Sequence, residues 1–247
     1  MIKSDFWARV LGGFIFYRWH PEVALRYLPA VSKINTLKPN ATVLEVGSGG
    51  IGIGPYLKRK VVGIDIHFEK PYHPLLTRVK GEATKLPFEN ESFDIVVSMD
   101  MLEHIPTKKR GDAVREIVRV AKSLVIIGVP CGEEAQEDDR LLYNEYTGRL
   151  LQNYKYYDEQ LAYGLPKILT MTKYISRALL RFKKKGKITA MGNESINIHR
   201  FLMRGWMRRD FLSQVFFRKI LLFAIPLLRN LNNSPTYRTI FTVDLVS

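Results

Sequence analysis

The run V-L-E-V-G-S-G-G-I-G at residues 43–52 sets Gly47, Gly49 and Gly52 directly behind a short apolar, β-rich segment. Glycines there allow a tight turn and let a ligand approach the amides of a helix amino end, which a side chain would block. Glu45 stands two residues before the first glycine, and Asp65 lies twenty residues beyond Glu45 at the end of the next apolar run. A carboxylate at that place in a strand–helix–strand unit suits the hydroxyls of a ribose. Taken alone, the pattern fits a dinucleotide, another adenosine-bearing ligand, or a tight turn that binds nothing.

The continuation narrows the choice. Residues 81–88 read G-E-A-T-K-L-P-F and residues 92–105 read S-F-D-I-V-V-S-M-D-M-L-E-H-I. On these residues the chain resembles the class I S-adenosylmethionine-dependent methyltransferases, within the broad group that includes the ubiquinone and menaquinone methyltransferases. The resemblance is ordered over Thr42 to Pro130, about a third of the chain. It implies a Rossmann-like, mostly parallel sheet of the seven-stranded type, with S-adenosylmethionine as cofactor. Carried over by position, it implies that Gly47, Ser48 and Gly49 pass under the methionine part of the cofactor, with Glu45 fixing the loop. Asp65 would accept both ribose hydroxyls, Glu82 would stand where an aspartate commonly bonds the adenine amino group, and Ala83 would offer its amide. Ser98, ending the fourth strand, would sit beside the methionine moiety.

Methyl transfer from a sulfonium asks mainly for alignment of the acceptor, and a base is needed only where the acceptor must lose a proton. His104 is the leading base candidate, with Asp100 and Glu103 beside it in D-M-L-E-H. A similar acid-x-x-Glu-His stretch holds a divalent ion in some relatives; no metal is assigned here. Cys131 follows the fifth apolar run as P-C, but without the accompanying signatures of cysteine-dependent cytosine enzymes it reads as a small buried residue. The Asn/Asp-Pro-Pro-aromatic motif of enzymes that methylate exocyclic amines is missing, which lowers a nucleic-acid substrate.

The elements that would position these residues follow from periodicity. Apolar runs at 41–46, 61–66, 77–80, 93–98 and 123–129 read as strands, and a helix is expected to start at 52–59. A second helix is read at Thr107 to Ala121, with Ala113, Ile117, Val120 and Ala121 on one face. Such alternation builds an open α/β sheet. Glu133 to Tyr157 is acidic, tyrosine-rich and irregular or helical; Gln160 to Phe182 has helical spacing broken at Pro166; 188–191 could be a strand; His199 to Leu231 reads as one or two basic, apolar helices; and Tyr237 to Val246 alternates as a closing strand. The expected division is an N-terminal helical segment at 1–36, a cofactor-binding core at 37–130, a helical cap and basic insertion at 131–236, and the core's last strand at 237–247.

Charge is uneven. Of the formal +14, residues 160–247 carry 16 Lys and Arg against 3 Asp and Glu. An excess of that size suits an anionic partner, although it also makes an ordinary solvated surface. One cysteine excludes internal disulfides and cysteine-built zinc sites, which with no secretion signal points to the cytoplasm. The apolar runs at 10–17 and 220–228 fall short of the ~20 residues of a spanning helix, but the second could lie on a membrane. Tyrosines 143, 146, 154, 156, 157 and 163 could line an acceptor pocket under the cap, Tyr143 and Tyr146 foremost. His199 and Arg200, with Arg204, Arg208 and Arg209 around Trp206, could meet a phosphate and a flat group, touch an anionic membrane, or simply pack.

The expected activity is methyl transfer to oxygen of a small-molecule, glycan or lipid-linked acceptor, anionic, at the inner face of the membrane. Other readings stay open: an RNA methyltransferase, an inactive cofactor-binding adaptor on membrane or protein, and, more distantly, an NAD-dependent oxidoreductase.

Overall fold

The computed structural model describes residues 20–37, 40–70, 72–150 and 155–246. The apolar run at 10–17 and Tyr154 lie outside them. Seven strands form one sheet in the order β3-β2-β1-β4-β5-β7-β6, comprising β1 (Val43–Val46), β2 (Val61–Asp65), β3 (Leu76–Lys80), β4 (Phe93–Met99), β5 (Ala121–Pro130), β6 (Lys185–Ser195) and β7 (Thr236–Val246). The first five pair parallel, while β7 runs antiparallel to both β5 and β6.

Parallel central strands must be covered on both faces, so they read as continuous apolar runs. In β1, β4 and β5 residues of one parity join one core and those of the other parity the second. Val43, Ile95, Val97, Leu124 and Ile126 face α1 (Pro21–Ile34) and the chain around 221–228. Leu44, Val46, Val96, Val125 and Ile127 face α3 (Thr107–Val120) and α6 (Ile168–Arg181). The glycine turn leads into α2, a single turn at Gly54–Leu57, shorter than expected.

Outside the Thr42–Pro130 stretch the helical readings sharpen. The acidic segment is one helix, α4 (Glu133–Leu150), and the chain from Gln160 breaks between α5 (Lys155–Tyr163) and α6, around Pro166. The basic apolar stretch is four pieces: α7 (Ile196–Trp206), α8 (Phe211–Arg218), a 3-10 turn at Ile220–Ala224, and α9 (Ile225–Leu228). The strand expected at 188–191 extends over Lys185–Ser195. Helix α1 packs within the sheet's own core, because Ala24, Leu25, Tyr27, Ala30, Val31 and Ile34 form one apolar stripe along it.

Candidate active site

The carboxyl ends of β1, β2 and β4 open into a cavity of about 810 Å³, where ligands of open α/β sheets bind. Its walls include the glycine loop 47–52, Asp65, Glu82, Ala83, Asp100, His104, and, from the later helices, Tyr156, Glu159 and Met203. Gly49 has φ +55 and a Cβ there would meet nothing within 4 Å, so the loop shows an open side to the cavity. Gly47 is a glycine for another reason: at φ +79 a Cβ would fall 2.3 Å from Cγ of Met101. The glycine loop therefore packs beneath the turn that follows β4.

Glu45 is fully buried and ties this loop to the core. One carboxyl oxygen accepts from the Tyr27 hydroxyl at 2.7 Å and the other from the Ile53 amide at 2.6 Å. Burial raises its pKa to about 7, against the lowering effect of those two bonds. Ser48 is buried and its hydroxyl donates to the Gly49 carbonyl at 3.2 Å. Asp65 accepts from the Gly49 amide at 2.9 Å and the His67 amide at 3.1 Å, clasping the loop from β2. Two carboxylate oxygens offer about four acceptor sites, so both remain able to take a hydroxyl. Glu82 is exposed and takes a bond from Thr84 Oγ1 at 3.3 Å. The open Gly49 edge, the Asp65 carboxylate and Glu82 with Ala83 thus fit a nucleoside with an amino-acid tail.

Ser98 departs from expectation. Alternation along β4 sends its side chain away from the Val97 and Met99 side, it is 1% exposed, and its hydroxyl has no hydrogen-bond partner. Met99 borders the cavity in its place.

The D-M-L-E-H residues divide. Asp100, in left-handed backbone at φ +48, is gripped bidentately by Arg238, whose Nε and Nη2 each lie 2.6 Å from its oxygens. Arg238 comes from β7, is fully buried, and also contacts Glu194 at 3.0 Å and Glu22 at 3.3 Å; Arg26 reaches Asp100 at 3.5 Å. Burial opposes ionisation of Asp100, but Arg238 and Arg26 outweigh it and hold its pKa below the usual carboxylate range. Such a carboxylate positions and does not take protons. Glu103 is the reverse case: burial and the Asp100 charge push its pKa well up, and both carboxyl oxygens are buried without a partner. Burial thus favours its uncharged form. Among the described residues no three His, Cys, Asp or Glu side chains are arranged to hold a metal.

His104 is the member placed for proton transfer. Its Nδ1 lies 3.1 Å from Oε2 of Glu159 on α5, and the ring stands edge-on to Tyr156 at 5.3 Å. Burial lowers its pKa from the ordinary imidazole value, with Glu159 and Asp100 offsetting part of the effect. It is thus largely neutral at pH 7.

Three of the four acceptor candidates lie elsewhere. Tyr146 packs in the cap's own small core and stacks on Trp206, Tyr143 stands edge-on to Tyr157, and Arg200 bonds Asp138 at 2.6 Å while facing a groove on the far side of α7. The cap needs an apolar interior of its own, and Tyr143 and Tyr146 help build it. His199 does border the cavity, but buried, stacked on Tyr237 at 3.4 Å and held 3.0 Å from Asp138. Burial disfavours its charged form; Asp138, Glu194 and Asp139 outweigh that and raise its pKa. Cys131 is buried, and desolvation raises its thiol to about 12, so no thiolate nucleophile exists there.

Sequence reasoning passed over Glu22, Arg26, Glu159, Glu194 and Arg238. Arg238 alone carried a signal, a cation beside the apolar positions Ile240, Phe241 and Val243 of the closing strand. The cavity lining also reverses the expected polarity. Glu22, Asp65, Glu69, Glu82, Asp100, Glu103 and Glu159 face Arg26, Lys109, Lys155 and Arg238. The basic excess of the last third largely lies outside it.

Comparison with known proteins places the core. Residues 44–127 match the family model described as a methyltransferase domain. Over that stretch, β1 to β5, the chain is similar to a methyltransferase domain. A sterol 24-C-methyltransferase of Candida albicans is 31% identical over 150 residues, 52% of this chain and 39% of that protein. The chain spans about two fifths of the length of this curated relative. Among solved structures, phosphoethanolamine N-methyltransferase 2 of Haemonchus contortus aligns with TM-score 0.55 at 17% identity, over 97% of this chain and 56% of that one. The [4+2]-cyclase SpnF aligns with TM-score 0.53 at 14% identity, over 90% of this chain and 82% of that one. These two likenesses concern the fold.

Proposed function

We propose that this protein transfers the methyl group of S-adenosylmethionine to an uncharged small-molecule or lipid acceptor, at a hydroxyl oxygen. The observation that carries this reading is one continuous cavity that runs from the glycine loop and Asp65 to the His104–Glu159 pair. Gly49, Asp65, Glu82 and Ala83 would hold the cofactor, which supplies an activated methyl on a sulfonium. The acidic lining favours that cation and disfavours an anionic acceptor, so the anionic acceptor expected from overall charge is not retained. A similar preference for an apolar acceptor is suggested by the sterol methyltransferase likeness.

In this reading the Glu159 carboxylate, 3.1 Å from Nδ1, favours a proton there by charge, and Nε2 is left to accept the proton of the acceptor hydroxyl as it attacks. Tyr156 and Met203 line the cavity beside His104. Arg238 and Arg26 hold Asp100, and with it the turn that carries His104. Alignment of the hydroxyl supplies much of the acceleration, and the imidazole adds about 10²–10⁴.

Calorimetric titration tests the cofactor half. S-adenosylmethionine and S-adenosylhomocysteine should bind in the micromolar range, Asp65→Ala should weaken both at least tenfold, and NAD should not bind. Radiolabelled methyl transfer to a panel of neutral hydroxylated lipids, phosphorylated metabolites and RNA tests the acceptor half. Transfer confined to anionic acceptors would overturn the neutral-acceptor reading, and absence of binding by either sulfur ligand to the folded protein would overturn the whole.

A further inference from the structure

The segment Phe211–Leu228 has two apolar faces. The inner one, with Leu221, Leu222, Ile225 and Leu228, is buried against α1 and the sheet. The outer one faces solvent. From 211 to 228 the exposed positions are Phe211, Leu212, Phe216, Ile220, Phe223, Pro226 and Leu227, and none is polar. Leu212, Phe223 and Leu227 are 78, 70 and 67% exposed. These exposed side chains come from α8, the 3-10 turn and α9 in succession. A contiguous apolar patch of this kind marks an interaction surface.

Its borders name the partner. Arg208 and Arg209 stand exposed before it, next to Asp210, whose carboxylate caps α8 at the Ser213 amide, and Arg229 stands after it; no further Asp or Glu occurs before Asp244. Beside it, α7 and α8 enclose a groove of about 480 Å³ lined by Arg149, Arg200, Arg204 and Arg208 with Phe201 and Phe217; Arg149 and Arg204 share Glu145 and Arg200 pairs with Asp138, which leaves Arg208 as the groove's arginine outside these pairs. An apolar stripe edged by arginines is the pattern of a helix lying in the headgroup region of an anionic bilayer. We propose that the outer face of residues 208–229 docks this protein peripherally on an anionic lipid surface. Helix α7 has His199 and Met203 on the catalytic cavity and Arg200 and Arg204 on the groove. One helix thus separates the docking face from the active site, the arrangement a membrane-resident acceptor requires.

The test is co-sedimentation of the full chain with phosphatidylcholine vesicles with and without phosphatidylglycerol. The protein should pellet with anionic vesicles at low salt and release as salt rises. Leu212→Asp combined with Leu227→Asp should abolish pelleting, and Arg208→Glu combined with Arg209→Glu should weaken it about tenfold or more. Both variants should bind S-adenosylhomocysteine as the parent does, which shows that they fold. Failure of the parent to pellet at low salt, or unchanged pelleting of both variants, overturns the proposal. A dimer in light scattering that Leu212→Asp with Leu227→Asp converts to monomer, without vesicle binding by the parent, assigns the face to a second copy instead. None of these readouts depends on methyl transfer, so the proposal stands or falls apart from the activity.

Discussion

Replacing Arg238 by Met tests the central electrostatic claim. The guanidinium is completely buried and makes two 2.6 Å contacts to Asp100, one of 3.0 Å to Glu194 and one of 3.3 Å to Glu22. Methionine fills much of the same volume but leaves Asp100, Glu22 and Glu194 without the guanidinium that joins them, with Arg26 beside the first two and His199 beside the third. Breaking a buried ion pair from one side costs about 3–5 kcal/mol, a large part of the 5–15 kcal/mol typical of a domain. In urea, with a slope near 3 kcal/mol/M, the midpoint should drop by about 1 M or more. The pH dependence is the sharper readout. In the parent, Asp100 and Glu22 have pKa values below their ordinary ones, so their stabilising contribution is present above the ordinary carboxylate range and is lost as pH falls through the folded values. In Arg238→Met these groups lose their cation, burial raises their folded values, and the penalty is present at neutral pH and relieved as pH falls. The stability gap between parent and variant should therefore narrow from pH 8 to pH 5. Adding Asp100→Asn should recover part of the loss at pH 8. A loss under about 1 kcal/mol, or a gap independent of pH, would refute the reasoning.

Three further outcomes follow from the geometry. Gly52→Ala would place a Cβ 2.6 Å from Glu45 Oε2 and 2.9 Å from Leu76 Cδ1 at φ +64; a thermal melt should show a loss of about 1–3 kcal/mol, together with weaker calorimetric binding of S-adenosylhomocysteine. His104→Ala should lower the transfer rate about 10²–10⁴-fold with cofactor affinity unchanged. Because burial lowers the His104 pKa, the parent's rate should rise with pH through a midpoint below the ordinary imidazole value, and a midpoint above it would count against the assignment. Glu103→Gln should leave both stability and transfer near parental, since burial favours the uncharged form of that carboxyl; a large drop in transfer would restore it as a catalytic residue.

The cofactor half of the site is legible in the amino-acid sequence because it is local. Gly47 and Gly49, Glu45 eight residues from its Ile53 amide, and Asp65 at the end of the next strand all belong to one strand–turn–helix–strand unit. A short loop whose backbone must turn left-handed leaves its mark as glycine. Even there the reasons differed: Gly47 yields to Met101 and Gly52 to Glu45, contacts that no motif specifies. Ser98 was misplaced because a residue's identity does not say which face of the strand it takes once the register is set.

What the chain determined by itself was therefore the alternation of apolar runs, the glycine turn and the acid after β2, since period and turn chemistry act over a few residues. Tertiary structure decided the acceptor half. Glu159 meets His104 across 55 residues of sequence and Arg238 meets Asp100 across 138. Both pairings depend on how α5 and β7 come back to the sheet. Tyr143 and Tyr146 are drawn away from the cavity by the cap's need to bury an apolar interior of its own, and Arg200 by its bond to Asp138. Net charge was likewise a property of the whole chain, and only folding sorted it into an acidic cavity and a basic outer face.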